Sequence, residues 1–153
     1  MTAHADEVTI EPAISADVDA LCVLLGELFA QETEFTPDAE AQRCGLVMIL
    51  AEPRAGEIWV ARCAGKVVGL VNLLFTISTA LGAPVALLED MVVSRHHRGT
   101  GIGTQLLNKA IDVAHARGCR RITLLTDADN TVAQHWYEQH GFVRSTMTVM
   151  RRS

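Results

Sequence analysis

The sequence predicts an α/β chain of the α+β kind: a mixed, mostly antiparallel, twisted sheet of about six strands flanked by about four helices. Three observations carry this. Apolar and β-branched runs on either side of the Ala64-Gly65-Lys66 turn read as an antiparallel hairpin. A strand, a glycine-rich turn, an amphipathic helix and another strand follow one another between residues 87 and 126, a βαβ pattern. Apolar residues at helical spacing recur in four separate segments. The 153 residues fit one domain, 1–153, able to bury most of its apolar surface.

Val8 to Ile10 opens a short strand that Pro12 ends. Ser15 is positioned to cap a helix running to about Gln31, with Val18, Leu21, Leu24, Leu25, Leu28 and Phe29 on its apolar face. The stretch E-T-E-F-T-P-D reads as a loop. Thr36 as cap and Pro37 at the first helical position start a second helix, which stops before Pro53. Glu57 to Cys63 is a strand and pairs with Val67 to about Ser78. The latter reads V-V-G-L-V-N-L-L-F-T-I, nearly continuous in apolar residues, which places it centrally in the sheet. Leu81 to Pro84 turns the chain into the next strand. Helix 101–117 carries Leu106, Leu107, Ala110, Ile111 and Ala114 on one face, and Gly118 closes it. Arg120 to Thr126 is a strand. Asp129 or Asn130 caps a last helix with Val132, Ala133, Trp136 and Tyr137 inward; Gly141 ends it and a final strand follows.

The chain is organised around Leu87 to Leu107, L-L-E-D-M-V-V-S-R-H-H-R-G-T-G-I-G-T-Q-L-L. Gly99, Gly101 and Gly103 permit positive φ and close approach of a ligand to the main chain. The amides at the start of the following helix lack intrahelical partners, and the helix dipole adds partial positive charge there. Such a turn is a phosphate site. No lysine follows the glycines, which excludes the P-loop. The third glycine comes one residue too early for the dinucleotide fingerprint G-x-G-x-x-G.

Arg98, Gly101 and Gly103, with the strand before and the leucine-rich helix after, fill the pattern Q/R-x-x-G-x-G/A. This resembles the acetyl-CoA motif of the GNAT superfamily of N-acetyltransferases. Asn130, Ala133, Trp136, Tyr137, Gly141 and Phe142 fill N-x-x-A-x-x-[FWL]-Y-x-x-x-G-F, which is similar to a second GNAT pattern. The resemblance covers Gly56 to the C-terminus closely, and the first fifty residues in element order only.

The resemblance implies acetyl-CoA as co-substrate. Its pyrophosphate would lie on Arg98, Gly99, Thr100, Gly101, Ile102, Gly103 and Thr104, and its pantetheine arm along Met91, Val92 and Val93. Asn130 is either a contact to that arm, a plain N-cap, or both. Arg98 meets a phosphate or pairs with a carboxylate. Tyr137, the one tyrosine of the chain, corresponds to the family residue that protonates the departing sulfur. Phe35 and its neighbours fall where the family forms its acceptor pocket. On a regular strand Glu89 and Asp90 point to opposite faces, and the reading favours Glu89 as base, with Asp90 or simple attraction of a cation as the alternative.

The function implied is transfer of an acetyl group to a primary amine of a small molecule by direct attack in a ternary complex. The alternatives are a protein or peptide N-terminal or lysine acetyltransferase, and a non-catalytic acyl-CoA-binding module. A net charge of −5 argues against nucleic acid and mildly favours a cationic partner. No apolar run is long enough to span a bilayer, and the first residues carry no signal-peptide pattern. Cys22, Cys44, Cys63 and Cys119 are scattered, as structural thiols in a cytoplasmic protein would be. His135 and His140 lie five apart and no H-E-x-x-H occurs, so no metal is expected. Only about a dozen residues follow Gly141, too few for a full closing hairpin. The exposed sheet edge that results suggests a homodimer.

Overall fold

The computed structural model describes residues 7–153; the amino-terminal segment weighed above as a leader lies outside the described residues. Five strands form one sheet in the order β1-β2-β3-β4-β5. They are β1 (Val8–Pro12), β2 (Gly56–Cys63), β3 (Lys66–Ser78), β4 (Ala83–Val93) and β5 (Ile122–Leu124). The helices are α1 (Val18–Gln31), α2 (Ala39–Ala51), α3 (Ile102–Ala116) and α4 (Thr131–Glu138). The first four strands pair antiparallel, and β5 joins β4 in parallel through the α3 crossover. The expected fold class is the one observed, with β3 in the middle of the sheet.

The β2–β3 hairpin turns on Ala64 and Gly65, whose φ values of 51° and 77° are the two positive angles of a tight primed turn. The apolar faces of the sheet are covered separately. On one side Leu21, Leu24 and Leu25 of α1 and Leu46 of α2 pack on Ile58, Val60, Leu70 and Val92. On the other side Ile102, Leu106, Leu107 and Ala110 of α3 pack on Val71, Leu73, Ala86 and Leu88, with Trp136, Tyr137 and Phe142 at the margin. Gly69 lets α3 approach: a Cβ there would stand 2.9 Å from the Leu106 side chain and 3.2 Å from the Val92 carbonyl oxygen. This close seat fixes the start of α3 against β3 and β4.

Four boundaries differ from the sequence expectation. Ser15 does not cap α1. Ser15–Asp17 form one 3₁₀ turn, and the Asp17 carboxylate accepts from the Ile14 amide at 2.9 Å. The cap of α2 is Asp38 rather than Thr36, accepting from Ala41 N at 3.1 Å, while Gln42 Oε1 accepts from Asp38 N at 2.9 Å. This reciprocal pair outcompetes a threonine two residues earlier. The strand expected over Arg120–Thr126 is only Ile122–Leu124, because β4 leaves it after Leu88. Among the described residues no strand forms beyond Gly141: a three-residue β5 offers a ladder too short for a sixth strand to join.

Candidate active site

The site starts from an irregularity in β4. Asn72 of β3 pairs with Asp90, and the next residue, Leu73, pairs with Leu88. Glu89 is therefore an extra residue on β4, a β-bulge. The bulge reverses the phase of the strand. Ala86 and Leu88 before it, and Met91 and Val93 after it, all belong to the α3 side, although their numbers differ in parity. The expectation that Glu89 and Asp90 point to opposite faces is thereby corrected. Both line one cavity on the α1–α2 side.

At the same point β4 parts from β5. Their pairing runs through Ala86–Leu88 and stops at Leu88 opposite Leu124. Beyond it, β4 keeps β3 on one edge, through Met91, Val92 and Val93, and among the described residues has no strand on the other. The Val92 side chain is buried in the α1-side core, so this residue can offer a ligand only its backbone.

The cavity measures about 330 Å³ and is walled by α1, α2, β3 and β4. Phe29 and Phe35 form its aromatic wall, their ring centroids 5.7 Å apart. Gln42 fastens the two helices beneath it, donating to the Cys22 carbonyl at 2.9 Å. Asp90 lies inside against Asn72, whose Nδ2 donates to Asp90 Oδ2 at 3.0 Å. Burial pushes the Asp90 carboxyl up to about 6; the Asn72 hydrogen bond opposes the shift, and the Glu89 charge adds to it. The Glu89 side chain is exposed at the bulge. A larger hollow of about 440 Å³ opens at the other end of β3 and β4, around Phe75, Arg54 and Arg117, and none of the motif residues line it.

On the opposite side of the sheet the glycine turn has the geometry its composition suggests. Gly99 and Gly101 have φ values of 77° and 85° and are exposed with Thr100. Gly101 is the N-cap of α3, and among the described residues no side chain caps the helix. The amides of Ile102, Gly103 and Thr104 therefore face outward from its first turn, while Ile102 anchors that turn with a buried side chain. A Cβ on Gly99 or Gly101 would meet nothing within 4 Å, which leaves room for a ligand against the loop. The exposed Arg98 donates through Nε to the Val93 carbonyl at 3.1 Å, tying the loop to the end of β4. Thr100 Oγ1 donates to the His97 carbonyl at 2.6 Å.

The helix α4 packs beside the start of α3. The position of a Gly103 Cβ lies 3.6 Å from Trp136 and 3.7 Å from Met91, so α3, α4 and β4 meet there. Tyr137 stands beside Trp136, ring centroids 5.0 Å apart, and against Phe142 at 5.6 Å. Burial pushes its phenol up to about 12, so it holds its proton at neutral pH. Asn130 is the N-cap of α4, accepting from Ala133 N at 3.1 Å. Among the described residues no cluster of metal-ligating side chains is found.

The sequence profile described as the Acetyltransferase (GNAT) family matches residues 23–142. The chain belongs to the GNAT family. It is an N-acetyltransferase, and its family uses acetyl-CoA. This GNAT chain is 31% identical over 124 residues to an uncharacterised N-acetyltransferase, YhfO, of Bacillus subtilis, covering 80% of this chain and 83% of that one. It is 27% identical over 133 residues to an aminoalkylphosphonate N-acetyltransferase of Salmonella typhimurium, covering 87% and 83% respectively. A solved aminoglycoside N-acetyltransferase in complex with CoA shares the fold, with a TM-score of 0.82 at 18% identity over 100% of this chain and 99% of that chain.

One residue in the wall of the cavity and one carboxylate outside that wall escape a reading from sequence. Asn72 interrupts the apolar run of β3 in its middle, between Val71 and Leu73, and that contrast was the available signal. Glu32, at the C-cap of α1, lies in a loop whose composition looks merely solvated. Only the fold brings its carboxyl into the field of Asp90, Asp127, Glu89 and Glu34.

Proposed function

We propose that this GNAT enzyme transfers the acetyl group of acetyl-CoA to a primary amine of a small molecule, by direct attack in a ternary complex. One observation carries the reading. The bulge at Glu89 brings an acidic, aromatic-walled cavity to the point where β4 becomes unpaired on one edge. A cationic amine is drawn to the carboxylates, and a volume of about 330 Å³ suits a small acceptor. The names of the phosphonate and aminoglycoside relatives agree with an acceptor of this kind.

The exposed amides and glycines of residues 98–104 suit a pyrophosphate, and the free edge at Met91–Val93 suits an extended amide arm. When bound there, acetyl-CoA supplies the thioester. Asp90 is the base in this reading. A free alkylamine has a pKa of about 10.4 and is a cation without a lone pair, so one proton leaves through Asp90 to solvent before attack; its nitrogen then turns acidic as the C–N bond forms, and the regenerated carboxylate, titrating near neutrality, accepts that second proton. Glu89 stays at the mouth and attracts the cation, or relays a proton through water. A backbone N–H of Met91 to Val93 meets the developing oxyanion. Tyr137 delivers its proton to the sulfur as the C–S bond breaks. Asn130 orders the turn into α4 and reaches the arm in addition to capping.

Release of thiol from acetyl-CoA, followed over a panel of small amines, tests the reading. Turnover that needs an amine and falls in Tyr137→Phe supports it. Absence of turnover with every amine, in protein that binds acetyl-CoA, overturns it in favour of a protein or peptide acetyltransferase or an acyl-CoA-binding module. We also propose that the enzyme works as a homodimer in the cytoplasm. The outer edge of β5 and the exposed Val143, Met147 and Met150 support a covered face. A single monomeric mass by light scattering overturns the dimer.

A further inference from the structure

The hollow at the far end of β3 and β4 has the opposite character to the cavity beside the bulge. It measures about 440 Å³ and is lined by Arg54, Phe75, Thr76, Ile77, Pro84 and Arg117. Two guanidinium groups and no carboxylate stand in its wall, in a chain whose net charge is −5. The cavity at the bulge, by contrast, is lined by Asp38, Glu89 and Asp90.

Bonds on each side hold this hollow in shape. The turn before β2, which carries Arg54, is closed by Ala55 N donating to the Glu52 carbonyl at 2.9 Å, and the Ala55 carbonyl accepts from Phe75 N at 2.9 Å. Arg117 Nη2 donates to the Pro53 carbonyl at 2.7 Å, and its Nε to Glu57 Oε2 at 2.6 Å. Its guanidinium carbon thereby lies 4.1 Å from the Phe75 ring centroid. On the β4 wall, Arg120 N donates to the Pro84 carbonyl at 3.0 Å.

Two features of this fixed hollow have no answer within the chain. Arg117 has its counter-charge in Glu57, but among the described residues the Arg54 side chain forms no ion pair and no hydrogen bond. Ile77 is 69% exposed and follows Phe75 by two residues, on the same face of β3. Covering that apolar shelf removes it from water. A ligand that answers both features carries a negative charge and an apolar body. The charge count selects the anion. One guanidinium is uncompensated, and its planar fork matches a carboxylate through two parallel N–H bonds. A phosphate monoester brings about −1.5 to −2 at neutral pH, more than Arg54 alone balances.

We propose that this hollow is a second binding site, for a small monocarboxylate with an aromatic or branched apolar body. The carboxylate pairs with Arg54, and the body lies on Phe75, Ile77 and Pro84. The volume is of the size that small-molecule sites have.

The probe is phenylacetate, titrated into the full chain and followed by amide proton–nitrogen NMR spectra. Saturable shifts are expected at residues 54–56 and 75–77, with half-saturation at about 1 mM or below. Phenylacetamide keeps the ring without the charge, and acetate keeps the charge without the ring. Each is expected to bind about tenfold more weakly. Arg54→Gln is expected to weaken phenylacetate about tenfold, with its fold shown by the same spectra, and Arg54→Lys to recover only part of the loss, because an ammonium lacks the fork. Absence of saturable shifts up to about 10 mM, an equal response to phenylacetamide, or affinity unchanged in Arg54→Gln overturns the site. Shifts centred on residues 98–104 place the anion on the glycine turn and overturn it as well. Tighter binding of phenyl phosphate than of phenylacetate overturns the monocarboxylate. None of these readouts depends on turnover, so failure here and failure of the transferase reading are told apart.

Discussion

Asp90 and Tyr137 reach the same end, a proton held at a chosen place, by burial working in opposite functional directions. Burial raises the Asp90 carboxyl to about 6, where it gains and loses a proton near neutrality. Burial raises the Tyr137 phenol to about 12, where it stays an acid. For Asp90 the folded value lies above the unfolded value, so the native state binds more protons between pH 4 and 6. Its ionised form therefore costs stability above pH 6, and the cost fades as pH falls through 6 toward 4. Asp90→Asn is expected to raise stability by about 1–3 kcal/mol at pH 7.5, with no gain near pH 4, in urea unfolding at the two pH values. The same variant is expected to lose about 10²–10⁴-fold in kcat, and with it the limb of the pH–rate profile near 6. Glu89→Gln should cost less in kcat than Asp90→Asn if Asp90 is the base; the reverse order returns that role to Glu89. Tyr137→Phe is expected to lower kcat by about 10²-fold with little change in KM, read from single-turnover thiol release.

At the level of elements, the glycine turn and α3 make one device. Gly69 admits α3 onto the sheet, buried Ile102 anchors its first turn, and the positive φ of Gly101 turns the chain into it. Gly101→Glu places a carboxylate where a pyrophosphate would lie and strains a left-handed residue by about 1 kcal/mol. Calorimetric titration of acetyl-CoA is expected to show saturable binding to the unmodified protein and none to this variant, with the fold retained by circular dichroism. This device was legible in the sequence, because glycines at fixed offsets between an apolar strand and a leucine-rich helix report backbone geometry directly. The wall of the cavity was not. Asn72 and the α2 cap at Asp38 act through partners 18 and 4 positions away, namely Asp90 and Gln42. Pairings of that kind exist only once strands and helices are packed. The bulge was hidden for another reason: a one-residue register shift leaves no mark on composition or periodicity over so short a strand.

Across the whole molecule, the two faces of the sheet have separate tasks. The α3 side presents the glycine turn and Tyr137, and the α1–α2 side holds the cavity proposed for the acceptor. One ionic staple secures the latter. Arg62 of β2 binds Asp17 through both terminal nitrogens, at 2.8 and 2.7 Å, and Glu11 of β1 through Nε at 2.6 Å. The Arg62 hydrogen bonds outweigh burial and hold the Asp17 carboxyl below its ordinary range. Its contribution is thus complete above the unfolded value and is lost as pH falls through the lower folded one, opposite in sign to Asp90. Asp17→Ala leaves Arg62 half-answered and is expected to cost about 3–5 kcal/mol in urea unfolding at pH 7.

Removing Glu89 outright would let Leu88 and Asp90 follow each other against Leu73 and Asn72 in unbroken register, with the apolar faces on either side unchanged. The deletion is expected to leave a folded protein of equal or greater Tm that no longer acetylates amines. In genetic terms, folding and catalysis would then be separable in this chain by a single codon.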